Sequence, residues 1–286
     1  MSVPAAVARG VAAPLAFTRR FRLVDAVVLT AVPAALLVVF LLPRAAVQPL
    51  IFSYTDPTPL SAYASHFVHL SQTHLLVNLT GYLLLAPAGY LLARLTDRRR
   101  TFMGAFVNLH LSVPVALSVL NLLFVRPRVT FGYSGLAMGL LALLGLELFE
   151  YARTHVVPTL DWGDAAVLFT FEVTLIAVAL APSAPTLRWV AVAAGLITAG
   201  YVAHIAASAY RGTAPVLASA TEPGYLELSV VAVVLLVAFP FVAFPAQPAS
   251  DGTVLNLYTH LLGFCLSFMI GYVAQPVFRT AWLRSA

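Results

Sequence analysis

No Lys occurs in this chain of 286 residues, and all 16 basic residues are Arg. Charge of either sign is scarce, with 9% of residues charged against 61% hydrophobic. A soluble domain carries about 25% charged residues, so the composition excludes an ordinary water-soluble enzyme. It equally excludes disorder, which goes with few apolar residues and much charge. The one cysteine, Cys265, lies inside an apolar run, which rules out a disulfide framework or a CxxC metal site. No HExxH pattern is present, and no nearby Asp or Glu accompanies His66, His69 and His74, so no metal is expected there. Residues 1–22 hold Arg9, Arg19, Arg20 and Arg22 but no uninterrupted apolar core with a cleavage site behind it. The first span is therefore expected to act as an uncleaved anchor.

Apolar sequence, by contrast, is abundant. Mean hydropathy is +0.92, and stretches of the roughly 20 residues needed to cross a bilayer recur from end to end. The periodicity and length predict eight spanning helices, at roughly 23–43, 66–95, 101–123, 132–152, 164–182, 187–209, 226–245 and 254–275. Helices are required because lipid offers no partner to exposed backbone groups. The net charge of +5 comes from Arg residues at the ends of apolar runs. Such residues are topology signals, and no nucleic-acid partner is expected. With the N-terminus inside, twelve Arg fall on the cytoplasmic side, and only Arg44, Arg126, Arg128 and Arg188 fall outside. That asymmetry predicts a multi-pass cell-membrane protein with both termini cytoplasmic. The expected organisation is a cytoplasmic segment 1–22, a transmembrane domain 23–275 and a cytoplasmic tail 276–286.

Three polar clusters interrupt the apolar pattern, and the topology puts all three near the outer face. Polar groups in a membrane are costly, so each calls for a functional reading beside a bland one. The first runs from Ser65 to Asn78 at the start of the second span. His74 and Asn78 stand four residues apart, on one helical face, and both can donate hydrogen bonds to an anion. The second is Phe131-Gly132-Tyr133-Ser134-Gly135, followed by Gly139, at the start of the fourth span. A lone Ser in a membrane helix is usually helix–helix glue, and Gly135-xxx-Gly139 is a common close-packing device. The segment is also not a GxSxG hydrolase elbow, because Leu136 occupies the last position and no strand is expected before it. The third is Asn256 to Gly263 in the last span, where Gly263, Ser267 and Gly271 form a small-residue stripe beside His260. Packed against Gly135 and Gly139, that stripe would bring His260 to Ser134.

Together these clusters resemble the rhomboid family of intramembrane serine proteases. The family pattern is HxxxN on its second core helix, GxSG on its fourth and a His followed by small residues on its sixth. This chain offers His74-xxx-Asn78, Gly132-Tyr133-Ser134-Gly135 and His260-xx-Gly263. The resemblance covers roughly residues 60–275 and implies an all-α membrane bundle, a rhomboid-like six-helix core with about two additional spans. There are departures. Residues 44–65 lack the Trp-Arg pair common in the family's first loop, and Met138 stands where a Tyr often stacks on the catalytic His. Orientation of His260 is then expected to rest on a thioether contact or on another aromatic such as Tyr258. The two extra spans leave helix 5 and helix 7 as alternatives for the family's fifth.

The resemblance implies peptide-bond hydrolysis of transmembrane protein substrates near the outer face, without a cofactor. Ser134 would be the nucleophile and His260 the base, a dyad with no Asp. His74, Asn78 and the Ser134 backbone N–H would hold the oxyanion, with Gly132, Gly135, Gly139 and Gly263 serving the motif and the helix packing. A rival base, His204, is nearer to Ser134 in sequence, but it comes about 25 Å down its helix against about 9 Å for His260. A base must come within about 3 Å of the proton it removes, which favours His260. Elsewhere, Glu147 and Glu150 are expected to snorkel or to meet Arg153, and Glu172, Asn108 and His110 to make inter-helix hydrogen bonds. Two other functions compete. A rhomboid-like protein that binds clients without cleaving them would typically lack the Ser or the His, and both are present. A small-solute transporter is suggested by eight spans and Glu172, but repeated halves with broken helices are missing.

Overall fold

The structure, a computed structural model, describes residues 22–124, 128–211, 224–250 and 253–283. Eight helices in it are long and apolar enough to cross a membrane. They are α1 (Leu23–Leu41), α2 (Gln72–Leu95), α3 (Arg99–Asn121), α4 (Ser134–His155), α5 (Ala166–Leu180, which reaches spanning length together with the 3-10 turn Trp162–Ala165 before it), α6 (Leu187–Arg211), α7 (Tyr225–Ala243) and α8 (Leu257–Leu283). This is an all-helical multi-pass membrane protein. Two ladders of two-residue strands are its only extended pairs among the described residues, β1 (Phe52–Ser53) with β2 (Val129–Thr130) and β3 (Ala249–Ser250) with β4 (Thr253–Val254). The expected N-terminal segment lies outside the described residues up to residue 21. The last helix continues to Leu283, beyond its expected end at 275.

One boundary differs for a clear reason. The second helix was expected from residue 66, yet it starts at Gln72 because the Ser71 side chain accepts the His74 backbone N–H at 3.2 Å and caps it. His66 falls instead in a single 3-10 turn, Ser65–Phe67, and His69 in the extended link that follows. Burial pushes the His66 pKa down to about 4, so its ring is neutral. Its Nε2–H donates to Ser118 Oγ at 3.1 Å, and that hydroxyl donates on to the Ala62 carbonyl at 2.7 Å. The link before α2 is thereby fastened to α3.

Helix α4 is the axis of the bundle, with 89% of its spanning window buried. It packs against α2, α3, α7 and α8. Helix α6 is the opposite case, packing mainly on α5 with 6% of its window buried. A proline inside a helix leaves a carbonyl without its helical donor, and a neighbouring helix can supply one. Pro33 in α1 cannot donate to the Leu29 carbonyl, and the Tyr82 hydroxyl of α2 does so instead.

At the end of the bundle away from the three motifs, charges are paired. Glu147 and Glu150 of α4 were expected to snorkel or to meet Arg153. Arg153 does bind Glu150 at 2.6 Å, but Arg98, from the turn between α2 and α3, binds Glu147 at 3.3 Å and Glu150 at 3.1 Å. Asp25 of α1 pairs with Arg99 and accepts the Tyr90 hydroxyl at 2.7 Å. Breaking such a buried pair by removing one partner costs about 3–5 kcal/mol, so these contacts lock four segments together. Glu172 behaves otherwise than expected. Both of its oxygens are buried without a hydrogen-bond partner among the described residues, on an α5 face shared with the buried apolar Ile176 and Ala179. Asn108 also finds no inter-helix bond there, accepting the Ser112 hydroxyl within α3 at 3.1 Å.

Candidate active site

Ser134 opens α4, and the turn before it depends on Gly132. Gly132 has φ +114°, a conformation only glycine adopts without strain. A Cβ there would also stand 2.7 Å from Cε1 of His74. The Gly132 N–H is tied to the Ser65 carbonyl at 2.9 Å, so the turn is held from the link before α2. Tyr133 precedes the helix with no side-chain cap. The first four N–H groups of a helix have no partner within it, so the Ser134 N–H is available at the positive end of the α4 dipole.

His260 arrives by close helix packing. A Cβ at Gly263 would fall on the carbonyl of Gly135, and one at Gly135 would stand 2.7 Å from Thr259 Cγ2. Only hydrogen at both positions lets α4 and α8 run backbone to backbone. Below this crossing, Gly139 faces Ser267, and Gly271 faces Leu146. The start of α8 is fixed by Asn256, whose Oδ1 accepts the Thr259 N–H at 3.2 Å. Its amide donates to the Tyr54 hydroxyl and to Asn121 Oδ1, both at 2.9 Å, while Asn121 donates to Thr259 Oγ1 at 2.9 Å. This network joins the strand β1 region, the end of α3 and the first turn of α8.

Within that frame His260 Nε2 lies 2.6 Å from Ser134 Oγ. Its other nitrogen, Nδ1, lies 2.7 Å from the Ala243 carbonyl. A carbonyl only accepts, so the proton must be on Nδ1, and Nε2 is left bare to accept from the serine. The carbonyl is available because Pro245 ends α7 and leaves its last C=O groups without helical donors. The Phe244 ring meets the imidazole edge-on at 5.8 Å. Tyr258, one of the two alternatives expected to orient His260 beside a thioether contact, packs against Phe124. Ala243 and Phe244 were missed by sequence reasoning, although the Phe-Pro stop signalled an unpaired carbonyl at that helix end. Of the two alternatives for the family's fifth helix, α7 is the one that reaches the site.

The remaining motif residues take these places. The His74 ring lies over Gly132 and edge-on to His69 at 4.7 Å. Asn78 is buried one turn further along α2 and gives one amide hydrogen to the His74 carbonyl at 3.0 Å, while the other has no acceptor among the described residues. His204 is exposed on α6 and is not brought to Ser134. Cys265 packs against the hydrophobic core. No group of three His, Cys, Asp or Glu that could hold a metal is found among the described residues.

A membrane bundle that seats a serine hydroxyl on a bare imidazole nitrogen is a candidate intramembrane hydrolase. The rhomboid domain model matches residues 58–210, more than half of the chain, and the chain belongs to the rhomboid family. That matched range includes His74, Asn78, Ser134 and His204, and it ends before His260. No curated protein and no solved structure matches the chain.

Proposed function

We propose that the chain is an intramembrane serine endopeptidase that cleaves transmembrane protein substrates with Ser134 as nucleophile and His260 as base. The observation that carries this reading is the 2.6 Å approach of His260 Nε2 to Ser134 Oγ, with Nδ1 already committed to a carbonyl. His260 Nε2 takes the hydroxyl proton as Oγ bonds to the scissile carbonyl carbon. It then returns that proton to the leaving amine as the C–N bond breaks. Water, deprotonated by the same nitrogen, releases the acyl group and restores the serine. His74, the second amide hydrogen of Asn78 and the Ser134 N–H hold the oxyanion of each tetrahedral state. The Ala243 carbonyl fixes the tautomer that a carboxylate fixes in a triad.

The positive-inside asymmetry orients the site toward the outer face, with the 23–275 domain in the cell membrane and both termini cytoplasmic. The test is labelling with a fluorophosphonate probe together with cleavage of one transmembrane substrate. Wild-type protein is expected to label and to cleave, and Ser134→Ala and His260→Ala to do neither. A wild-type protein that inserts normally yet neither labels nor cleaves in several detergents would support client binding without proteolysis instead.

A further inference from the structure

Helix α3 carries no residue of the proposed dyad or oxyanion set, yet it reaches the residue next to the nucleophile. Tyr133 is fully buried, and its hydroxyl lies 2.7 Å from His110 Nε2. His110 Nδ1 lies 2.7 Å from the Phe106 carbonyl, one turn back on α3. The carbonyl can only accept, so Nδ1 bears the proton, Nε2 is bare, and the Tyr133 hydroxyl donates to it. The Tyr133 ring is further gripped by Tyr82 of α2 at 5.9 Å, nearly perpendicular, and lies almost parallel to His110 at 5.9 Å.

We propose that His110 and Tyr133 form a positioning pair that sets the peptide joining Tyr133 to Ser134, and through it the nucleophile and its oxyanion-binding N–H. The inference rests on the reading of Ser134 as nucleophile. A residue adjacent to the nucleophile shares a peptide plane with it, so a rotation at Tyr133 re-aims both the Ser134 Oγ and the Ser134 N–H. On its other side the turn is held at Gly132 by the Ser65 carbonyl and by the His74 ring. The Tyr133–His110 bond is thus a second anchor, made to α3, beside the one that the Gly132 N–H makes to the Ser65 carbonyl in the link before α2. Two aromatic rings without polar atoms would fill the same volume at little cost in stability, because removing both partners of a hydrogen bond is nearly neutral. The polar pair adds direction: the hydroxyl is satisfied only where the side chain points it at His110 Nε2.

The test compares Tyr133→Phe, His110→Gln, His110→Phe and the double variant Tyr133→Phe/His110→Phe for kcat, KM, fluorophosphonate labelling rate and Tm. Tyr133→Phe and His110→Phe are expected to lower kcat and labelling by roughly 10- to 100-fold at unchanged KM, the scale of a displaced reacting group. The double variant is expected to cost no more than either single change, since the two residues act as one unit. His110→Gln, whose side-chain oxygen accepts a hydroxyl at a similar reach, is expected to restore most of the turnover. Normal kcat in Tyr133→Phe overturns the pair, as does a kcat loss that tracks Tm alone and is not relieved in His110→Gln. Cleavage retained in Ser134→Ala overturns the nucleophile itself, which is distinguishable from full turnover in Tyr133→Phe beside a dead Ser134→Ala.

Discussion

Helices α4 and α8 form one pair and α5 and α6 another, and hydropathy does not rank them by importance. Their spanning windows have mean hydropathies of 1.5 for α4 and α8 and 1.8 for α5 and α6. Each pair contributes a histidine followed by small residues, His260 on α8 and His204 on α6. Yet α4 is 89% buried and α6 is 6% buried. His260 has a partner for each ring nitrogen, whereas His204 is exposed. Small residues alone do not separate the pairs either. Gly200 of α6 has nothing within 4 Å of a Cβ, while Gly263 of α8 rests on the Gly135 carbonyl. In lipid, apolar side chains gain little by leaving one apolar neighbour for another, so helices associate where their backbones fit. A small residue matters only when the facing helix is small at the same level.

The sharpest way to break this comparison is to add bulk to both pairs. Gly263→Val is expected to force α4 and α8 apart and abolish cleavage and fluorophosphonate labelling while membrane insertion stays intact. Gly200→Val on α6 is expected to leave both unchanged. Full activity in Gly263→Val, measured at equal expression, would remove the close-approach argument.

A smaller effect is expected where α2 meets the α4–α8 pair. His74→Ala and Asn78→Ala should each lower kcat by about 100- to 1000-fold, the usual cost of one oxyanion donor. KM should change less, because the interaction strengthens in the transition state. Variants that lose substrate binding with kcat intact would show these residues to be substrate contacts. The smallest effect belongs to α6: His204→Ala is expected to keep most of the wild-type turnover, in line with exposed substitutions that touch nothing specific. An inactive His204→Ala beside an active His260→Ala would reverse both the orientation and the dyad.

The span count was legible because a bilayer imposes a length on every crossing, and about 20 apolar residues can be counted without knowing their partners. The start of α2 was less legible, since no Pro or Gly interrupts residues 66–71 and the Ser71 cap is what sets the first turn. The chemistry-bearing residues were legible as types at fixed spacings, His74 with Asn78 and Gly132 through Gly135. Their supports were not. The Ala243 carbonyl that orients His260 is backbone, the same in every residue, and Tyr133 reaches His110 across 23 positions of chain. Arg98 went unnoticed as the partner of Glu147 for the same reason, the two being 49 residues apart.

Sequence by itself determined that this is a polytopic membrane protein of eight candidate spans with rhomboid-like motifs, because hydrophobic length and local spacing are properties of neighbouring residues. Depth along the spans already favoured His260 over His204, but only the tertiary structure decided which helices form the centre and what holds the His260 ring against Ser134. Those outcomes depend on two surfaces fitting at one level, and the glycines of α4 and α8, 128 residues apart at Gly135 and Gly263, meet backbone to backbone, whereas Gly200 of α6 meets nothing and Gly195 only the Thr174 methyl at ordinary contact distance.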